Sequence, residues 1–248
     1  MVVNPLWIGG SLGVLLSGAF VYWQVGRYAA PQIPRSLFDE KKEVYAYTVG
    51  LFGGIVLSVP FGLFLTSLTT GPILWSIIGL AGLVVGFELG QWLLLRSRYF
   101  GQGDSGPFYA VGFRAGVSAI LILTLTSLYL GGGAVDPVGV AALLLESGAI
   151  VSLCVTGALL SLGTPSRANR RQGGRGSSLL VGAVGFFFLG FAQVFGSVLA
   201  ALAAALILLM TARVYARLQG PLLGSIPPPG EVTRAEAPSP TPFGRTDR

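Results

Sequence analysis

The chain has no histidine, one cysteine and only two lysines among its 248 residues. Without histidine it lacks the usual general base of enzymes and a common ligand of zinc. The single thiol, Cys154, excludes an intrachain disulfide and a cysteine metal cluster. The lysines, Lys41 and Lys42, are neighbours in a polar segment, so neither lies in an apolar run where it could hold a Schiff-base cofactor. We therefore expect no metal, no cofactor and no catalytic residues, and we disfavour an enzyme.

Charge is also scarce. Charged residues make up 10% of the chain and hydrophobic residues 52%, with a mean hydropathy of +0.73, whereas soluble domains carry about 25% charged residues. A helix needs roughly 20 mainly apolar residues to cross the hydrocarbon of a bilayer. The composition therefore predicts an all-α, polytopic transmembrane helical bundle with the lipid bilayer as its first partner. The composition is also biased towards the amino acids of GC-rich genomes, and we expect the cell membrane of a prokaryote.

Six long apolar blocks are separated by polar or glycine-rich segments, the longest of which is a predicted loop over 24–43. The blocks cover 6–25, 44–67, 73–95, 108–130, 138–162 and 178–215. The last block is too long for one ordinary span and barely long enough for two. The segment around Gln193 and Gly196 is the only plausible place to fold it into two.

The positions of the basic residues decide between six and seven spans. With seven spans, the segments 26–43, 96–107, 163–177 and 213–248 fall on one side and hold fifteen of the sixteen Lys and Arg residues. Such enrichment is typical of the cytoplasmic side. We predict seven spans, with the N-terminus outside and the C-terminus inside. The same segregation argues against nucleic acid as the partner of a chain with net charge +6. We expect four basic side chains of one loop to set topology and to touch lipid headgroups: Arg167, Arg170, Arg171 and Arg175.

The spans predict a single transmembrane domain over 1–218. From residue 219 the sequence is rich in Pro, Ser, Thr and charged residues. Such a segment cannot bury enough apolar surface to offset the entropy of ordering. We therefore predict a disordered, Pro-rich cytoplasmic tail over 219–248.

Small residues recur at every fourth position in several spans. In a membrane, close approach of helix backbones over such residues supplies the contact between helices. The repeats predict packing faces within one bundle, or faces that hold a homo- or hetero-oligomer together; the sequence leaves both open. The best defined repeats are Gly50, Gly54, Ser58 and Gly62 on the second span and Gly82, Gly86 and Gly90 on the third.

Two opposite charges lie inside neighbouring apolar blocks. Glu88 precedes the basic loop 96–107 and Arg114 follows it, so an antiparallel pair of helices places both at a similar depth. Each charge alone is costly in hydrocarbon, and pairing is the usual remedy. Gln91 shares the helix face of Glu88, and Ser118 lies one turn from Arg114. The group is either a structural ion pair or a solute or proton site that opens to the cytoplasm.

Glu146 is the third intramembrane charge, deep in the block 138–162 and without a basic residue at its depth. Interhelical hydrogen bonding and proton exchange are both open roles for it. Gln193 is a further polar candidate in the last block.

Two function classes follow. The absence of catalytic side chains and the small-residue faces favour a multi-pass membrane protein without catalytic machinery, a structural or accessory subunit of a cell-envelope complex. The alternative is a carrier or channel for a small solute or protons that uses Glu88, Arg114 and Glu146. Broken-helix sites typical of many carriers are not indicated, because Pro60 is the only proline well inside a span.

Overall fold

The part of the chain that the structure describes is all-helical, and its seven helices agree with the seven predicted spans. A computed structural model describes residues 4–28, 39–100, 106–131, 136–162 and 171–224. Every helix in these ranges is long and apolar enough to cross a membrane, so the chain has the architecture of a multi-pass membrane protein. The helices are α1 (Pro5–Tyr28), α2 (Glu40–Thr70), α3 (Ile73–Arg96), α4 (Gly106–Gly131), α5 (Pro137–Leu162), α6 (Arg171–Val194) and α7 (Ser197–Gly224).

Consecutive helices run in alternating directions, so the bundle has two distinct ends. At one end α1, α3, α5 and α7 finish and α2, α4 and α6 begin; we call it the basic end. The described cationic residues there include Lys41, Lys42, Arg96 and Arg217. The other end is called the opposite end, and the described residues there include no Lys or Arg. That the basic end faces the cytoplasm stays a prediction of the charge pattern.

Helix α4 lies at the centre of the bundle. Every residue from Phe108 to Ala119 is buried, and α4 packs against α1, α2, α3 and α5. Helices α6 and α7 join this group mainly through α5. In contrast, α7 is exposed along much of its length, with apolar side chains that suit lipid contact.

Helix α2 packs closely against the backbone of the central helix α4 at glycine residues. A Cβ atom on Gly50 of α2 would overlap the Phe113 carbonyl of α4, and one on Gly116 of α4 would overlap the Tyr47 carbonyl of α2. Gly54 meets Ile120 in the same seam. These glycines therefore pack within one chain rather than between copies.

The other residues of the two predicted small-residue faces fall into two groups. Some pack against a neighbouring helix, and others are only half-buried. On α3, Gly82 and Gly86 lie against Pro60 and Leu57 of α2, and Gly90 lies against the Phe113 ring. Ser58 and Gly62 are only half-buried, and the Ser58 hydroxyl donates to its own helix at Ile55 O.

The polar loop predicted over 24–43 is too long, and this boundary is corrected. Helix α1 continues to Tyr28, and α2 already begins at Glu40, where the Oδ1 atom of the N-cap residue Asp39 accepts a hydrogen bond from Lys41 N at 3.0 Å. An acidic residue in a first helical turn is favoured by the helix dipole and the free N–H groups. The run of charges around Lys41 is thus the start of a helix. At the other terminus, α7 extends to Gly224; the rest of the predicted tail, 225–248, lies outside the described residues.

The break in the last apolar block lies where the sequence predicts it. Helix α6 ends at Val194, α7 begins at Ser197, and Gly196 has φ +105°. This value lies in the region that side chains disfavour, so glycine allows the chain to reverse in two residues.

Replacing Gly196 with alanine is therefore expected to destabilise the protein by about 1–2 kcal/mol, through backbone strain alone. No atom lies within 4 Å of the added Cβ, so a steric cost is not expected. The matched control is Gly26→Ala in α1, which also meets nothing within 4 Å and should be neutral or slightly stabilising. Unfolding of the two variants in mild detergent provides the comparison, and equal stabilities would contradict the role of the turn.

Candidate functional site

Arg114 is the centre of a buried polar network at the basic end. It projects from the enclosed part of α4 and is only 4% exposed. Its guanidinium donates from Nε to Oε1 of Gln91 at 2.6 Å, from Nη1 to Oγ of Ser178 at 3.4 Å and from Nη2 to Oε1 of Glu88, with which it forms an ion pair. The guanidinium carbon also lies 5.4 Å from the ring centroid of Phe87, a cation–π distance. A buried guanidinium needs this many partners to offset its loss of water.

The same network extends to α5 and α6 through Ser178. Its hydroxyl has two acceptors in reach, Oε1 of Glu88 at 2.7 Å and the Gly157 carbonyl at 2.9 Å. Gly157 is also where the guanidinium finds room, because a Cβ there would come within 2.6 Å of Nη1 of Arg114. Four helices, α3 to α6, therefore meet at one ion pair.

Gln91 joins the ion pair to a second serine. While its Oε1 accepts from Arg114, its Nε2 donates to Oγ of Ser161 at 2.5 Å. Ser161 in turn donates to the Ala158 carbonyl at 2.9 Å. The amide of Gln91 thus holds Arg114 and the end of α5 in one arrangement.

A cavity of about 440 Å³ lies beside this network at the basic end. Its polar lining comes from Glu88, Gln91, Ser161 and Arg96. Its apolar lining comes from Trp92, Leu95 and Leu162. Arg96 is held over the Trp92 ring, 4.9 Å from the centroid. Arg114 itself is buried behind Glu88, so the cavity is lined by one acid and one base. We call it the inner cavity.

A second polar pair lies towards the opposite end. Oε2 of Glu146 accepts a hydrogen bond from Nε2 of Gln193 at 2.6 Å, which links α5 to α6. Oε1 of Glu146 is buried and has no hydrogen-bond partner among the described residues. A buried carboxyl oxygen without a partner is costly and needs an explanation.

Three phenylalanines lie between the two polar sites. The Phe186 ring stacks on Phe87, with 5.9 Å between centroids, and meets Phe61 edge to face, also at 5.9 Å. Phe87 lies against Arg114, whereas Phe61 and Phe186 line a small space beside Glu146. We call these three rings the aromatic layer. The two polar sites are about 16 Å apart along α5, because Glu146 lies in one of them and Gly157, eleven residues later, lies in the other.

Other buried polar groups were not identified from the sequence. Glu43 is completely buried against Gly112 of α4, and neither of its carboxyl oxygens has a partner within the described part of the chain. Oε1 of Gln24 is likewise buried and has no hydrogen-bond partner among the described residues. Both residues fall in the segment predicted as a loop, so the sequence does not predict their burial. Ser161 and Ser178 were also missed, although Ser178 lies seven residues into α6 and so at a depth similar to that of Arg114.

The remaining predicted residues lie apart from the network. Ser118 is buried, but its hydroxyl donates to the Ala115 carbonyl of its own helix at 2.7 Å. Arg171 and Arg175 belong to the beginning of α6. Arg167 and Arg170 lie outside the described residues.

Within the ranges that the structure describes, no three acidic or cysteine side chains come together to hold a metal ion, and Cys154 is buried. A comparison with protein-family models found no match, and neither curated proteins nor solved structures gave a match to this chain.

Proposed function

We propose that the chain is a cell-membrane carrier for a small polar solute, which binds in the inner cavity. The observation that carries the proposal is the position of Glu88. One carboxyl oxygen is fixed by Arg114 and Ser178, and the residue also lines a cavity of about 440 Å³. A purely structural ion pair needs no such space beside it. A preformed cavity with a few convergent polar groups is the usual form of a small-molecule site.

The lining suggests the class of solute. Glu88 offers a carboxylate to a cationic group, and Arg96 offers a guanidinium to an anionic one. Trp92, Leu95 and Leu162 supply apolar walls. We infer a zwitterion with an apolar part, of the size of an amino acid.

The structural or accessory subunit favoured by the sequence remains the second candidate. A row of exposed aromatic rings on α6 and the turn that follows it supports this candidate. Phe187 stacks on Phe191, and Phe191 meets Phe195, with centroids 5.5 and 4.9 Å apart. Copurification of a stoichiometric partner from mild detergent, without any response to solutes, would favour this candidate.

A thermal-stability screen with free amino acids tests the carrier proposal. A ligand at ten times its Kd is expected to stabilise the folded protein by about 1.4 kcal/mol, because it binds only the folded state. We expect at least one apolar amino acid to raise the unfolding temperature of the purified protein. The stabilisation should be saturable.

Two tryptophan variants provide the matched comparison. Leu162→Trp fills the inner cavity and should abolish the response, whereas Leu202→Trp changes an exposed residue of α7 and should keep it. A response that survives in Leu162→Trp, or none in the unmodified protein, would contradict a solute site in the inner cavity.

A further inference from the structure

Glu146 does not belong to the inner cavity, and its surroundings lead to the opposite end of the bundle. Beside it is a space of about 10 Å³, lined by Glu146, Gln193 and the rings of Phe61 and Phe186. This is about the volume that one water molecule requires, and water is stable in such a space only beside polar partners. Oε1 of Glu146, buried and otherwise unpartnered, is such a partner.

The small space adjoins a larger cavity of about 300 Å³, which we call the outer cavity. Gln193 and Gly190 of α6 line both spaces, as do Leu65 of α2 and Leu125 of α4. The polar lining of the outer cavity includes Thr66, Thr69, Thr70 and Tyr129. Thr66 and Thr69 are exposed residues in the last turns of α2, near the opposite end. A polar path therefore runs from the opposite end to Gln193, which is hydrogen-bonded to Glu146.

The charges around this path favour a proton over an anion. Among the described residues that line the outer cavity, Tyr129 of α4 is the titratable one, and its hydroxyl donates to Oδ1 of Asp136 at 3.3 Å. From α2 and α6 the lining contains threonine, glutamine, glycine and apolar residues. Neither α1 nor α7, the other helices against α5, lines either space. With two acids and no described base at this end, the local potential attracts cations.

The small space beside Glu146 lacks the oxygen ligands that a coordinated metal ion requires. A metal such as sodium or calcium needs several oxygen ligands, and Glu146 with one amide does not supply them. A proton needs a single oxygen and one water to carry it.

We propose that Glu146 is a proton-binding site that exchanges with the medium at the opposite end through the outer cavity. The carboxylate takes up a proton on Oε1, delivered by water in the small space, and returns it by the same path. The aromatic layer separates this carboxyl group from Glu88 and Arg114. The proposal concerns a site distinct from the inner cavity and holds whether or not a solute binds there.

Infrared difference spectroscopy of the purified full-length protein tests the proposal without any solute. A pH jump should produce a band from the C=O stretch of a protonated carboxyl group, and Glu146→Gln should remove it. Gln193→Leu is a second variant that keeps the carboxyl group but removes the hydrogen bond to Oε2, and it should shift the band. A band that is unchanged in both variants would assign the titration to another acid and overturn the proposal.

The route is tested by filling the outer cavity. Thr66→Trp places an indole in it, and the rate at which the band responds to the pH jump should fall about tenfold, equal to a barrier higher by about 1.4 kcal/mol. Thr48→Trp is the matched control, because Thr48 is also an exposed threonine of α2 but lies away from the cavity. Equal rates in the two variants would exclude this path. A band that moves when sodium replaces potassium at constant pH would assign the site to a metal ion instead.

Discussion

Replacing Arg114 with methionine is expected to lower the free energy of unfolding by about 3–5 kcal/mol, the cost of breaking a buried ion pair by removing one partner. The variant leaves Glu88 as a carboxylate with Ser178 as its remaining donor. It also removes the hydrogen bond that Oε1 of Gln91 accepts from the guanidinium. Because four helices meet at this point, the loss should be cooperative. Equilibrium unfolding in mixed detergent micelles provides the measurement.

A double variant separates the charge from the packing. In Arg114→Met with Glu88→Leu, no uncompensated charge remains, and replacing both members of a buried pair is often close to neutral. We expect most of the lost stability to return. If the double variant is as unstable as Arg114→Met alone, the ion pair is not the cause of the loss. If the double variant is stable but no longer responds to amino acids, the pair serves the inner cavity rather than the fold.

Leucine at Gly13 is expected to separate α1 from α4. A Cβ on Gly13 would overlap the carbonyl of Ala119, and backbone atoms of a central helix cannot move aside as a side chain can. Overpacking costs typically about 1–3 kcal/mol and occasionally more, and we expect the upper limit to be exceeded here because the clash is with backbone. Loss of stability and faster proteolysis within α1 are the measurements.

Gly10→Leu is the control on the same helix. Gly10 lies about one turn before Gly13 and has no atom within 4 Å of an added Cβ. Since leucine is the better helix former by up to about 1 kcal/mol, this variant should be neutral or more stable. Equal damage from Gly10→Leu and Gly13→Leu would show that bulk anywhere on α1 is harmful, and that the contact with Ala119 is not special.

The number of helices could be predicted because lipid imposes a simple constraint on sequence. Each span needs a long apolar run, and each end at the basic side is marked by Lys or Arg. The division of 178–215 was the difficult case, and the break at Gly196 is confirmed. Helix ends were predicted less well. Because the charged residues around Glu43 were interpreted as a loop, the first turn of α2 and its buried acid were missed.

The site could be predicted only in part, because a sequence gives depth but not neighbours. Counting residues from the basic loop places Glu88 and Arg114 at one level, and the structure joins them. The same counting does not identify Gly157 or Ser161, since it cannot show that α5 lies beside α3 and α4. It also gives no reason to pair Glu146, the tenth residue of α5, with Gln193, the last but one of α6. These two residues meet because the beginning of α5 and the end of α6 lie at different depths in the bundle.

The enclosure of α4 also bears on how the chain is assembled during synthesis. Three of the four helices that α4 packs against, α1, α2 and α3, precede it in the sequence. In a chain that is inserted from its N-terminus during synthesis, we expect Arg114 to enter the bilayer after Glu88 and Gln91 and before Ser178. The first four helices form a unit that already provides Arg114 with its partners Glu88 and Gln91. The last three helices can be added to this unit. We expect the halves 1–131 and 136–248, expressed as separate polypeptides, to recombine into one bundle.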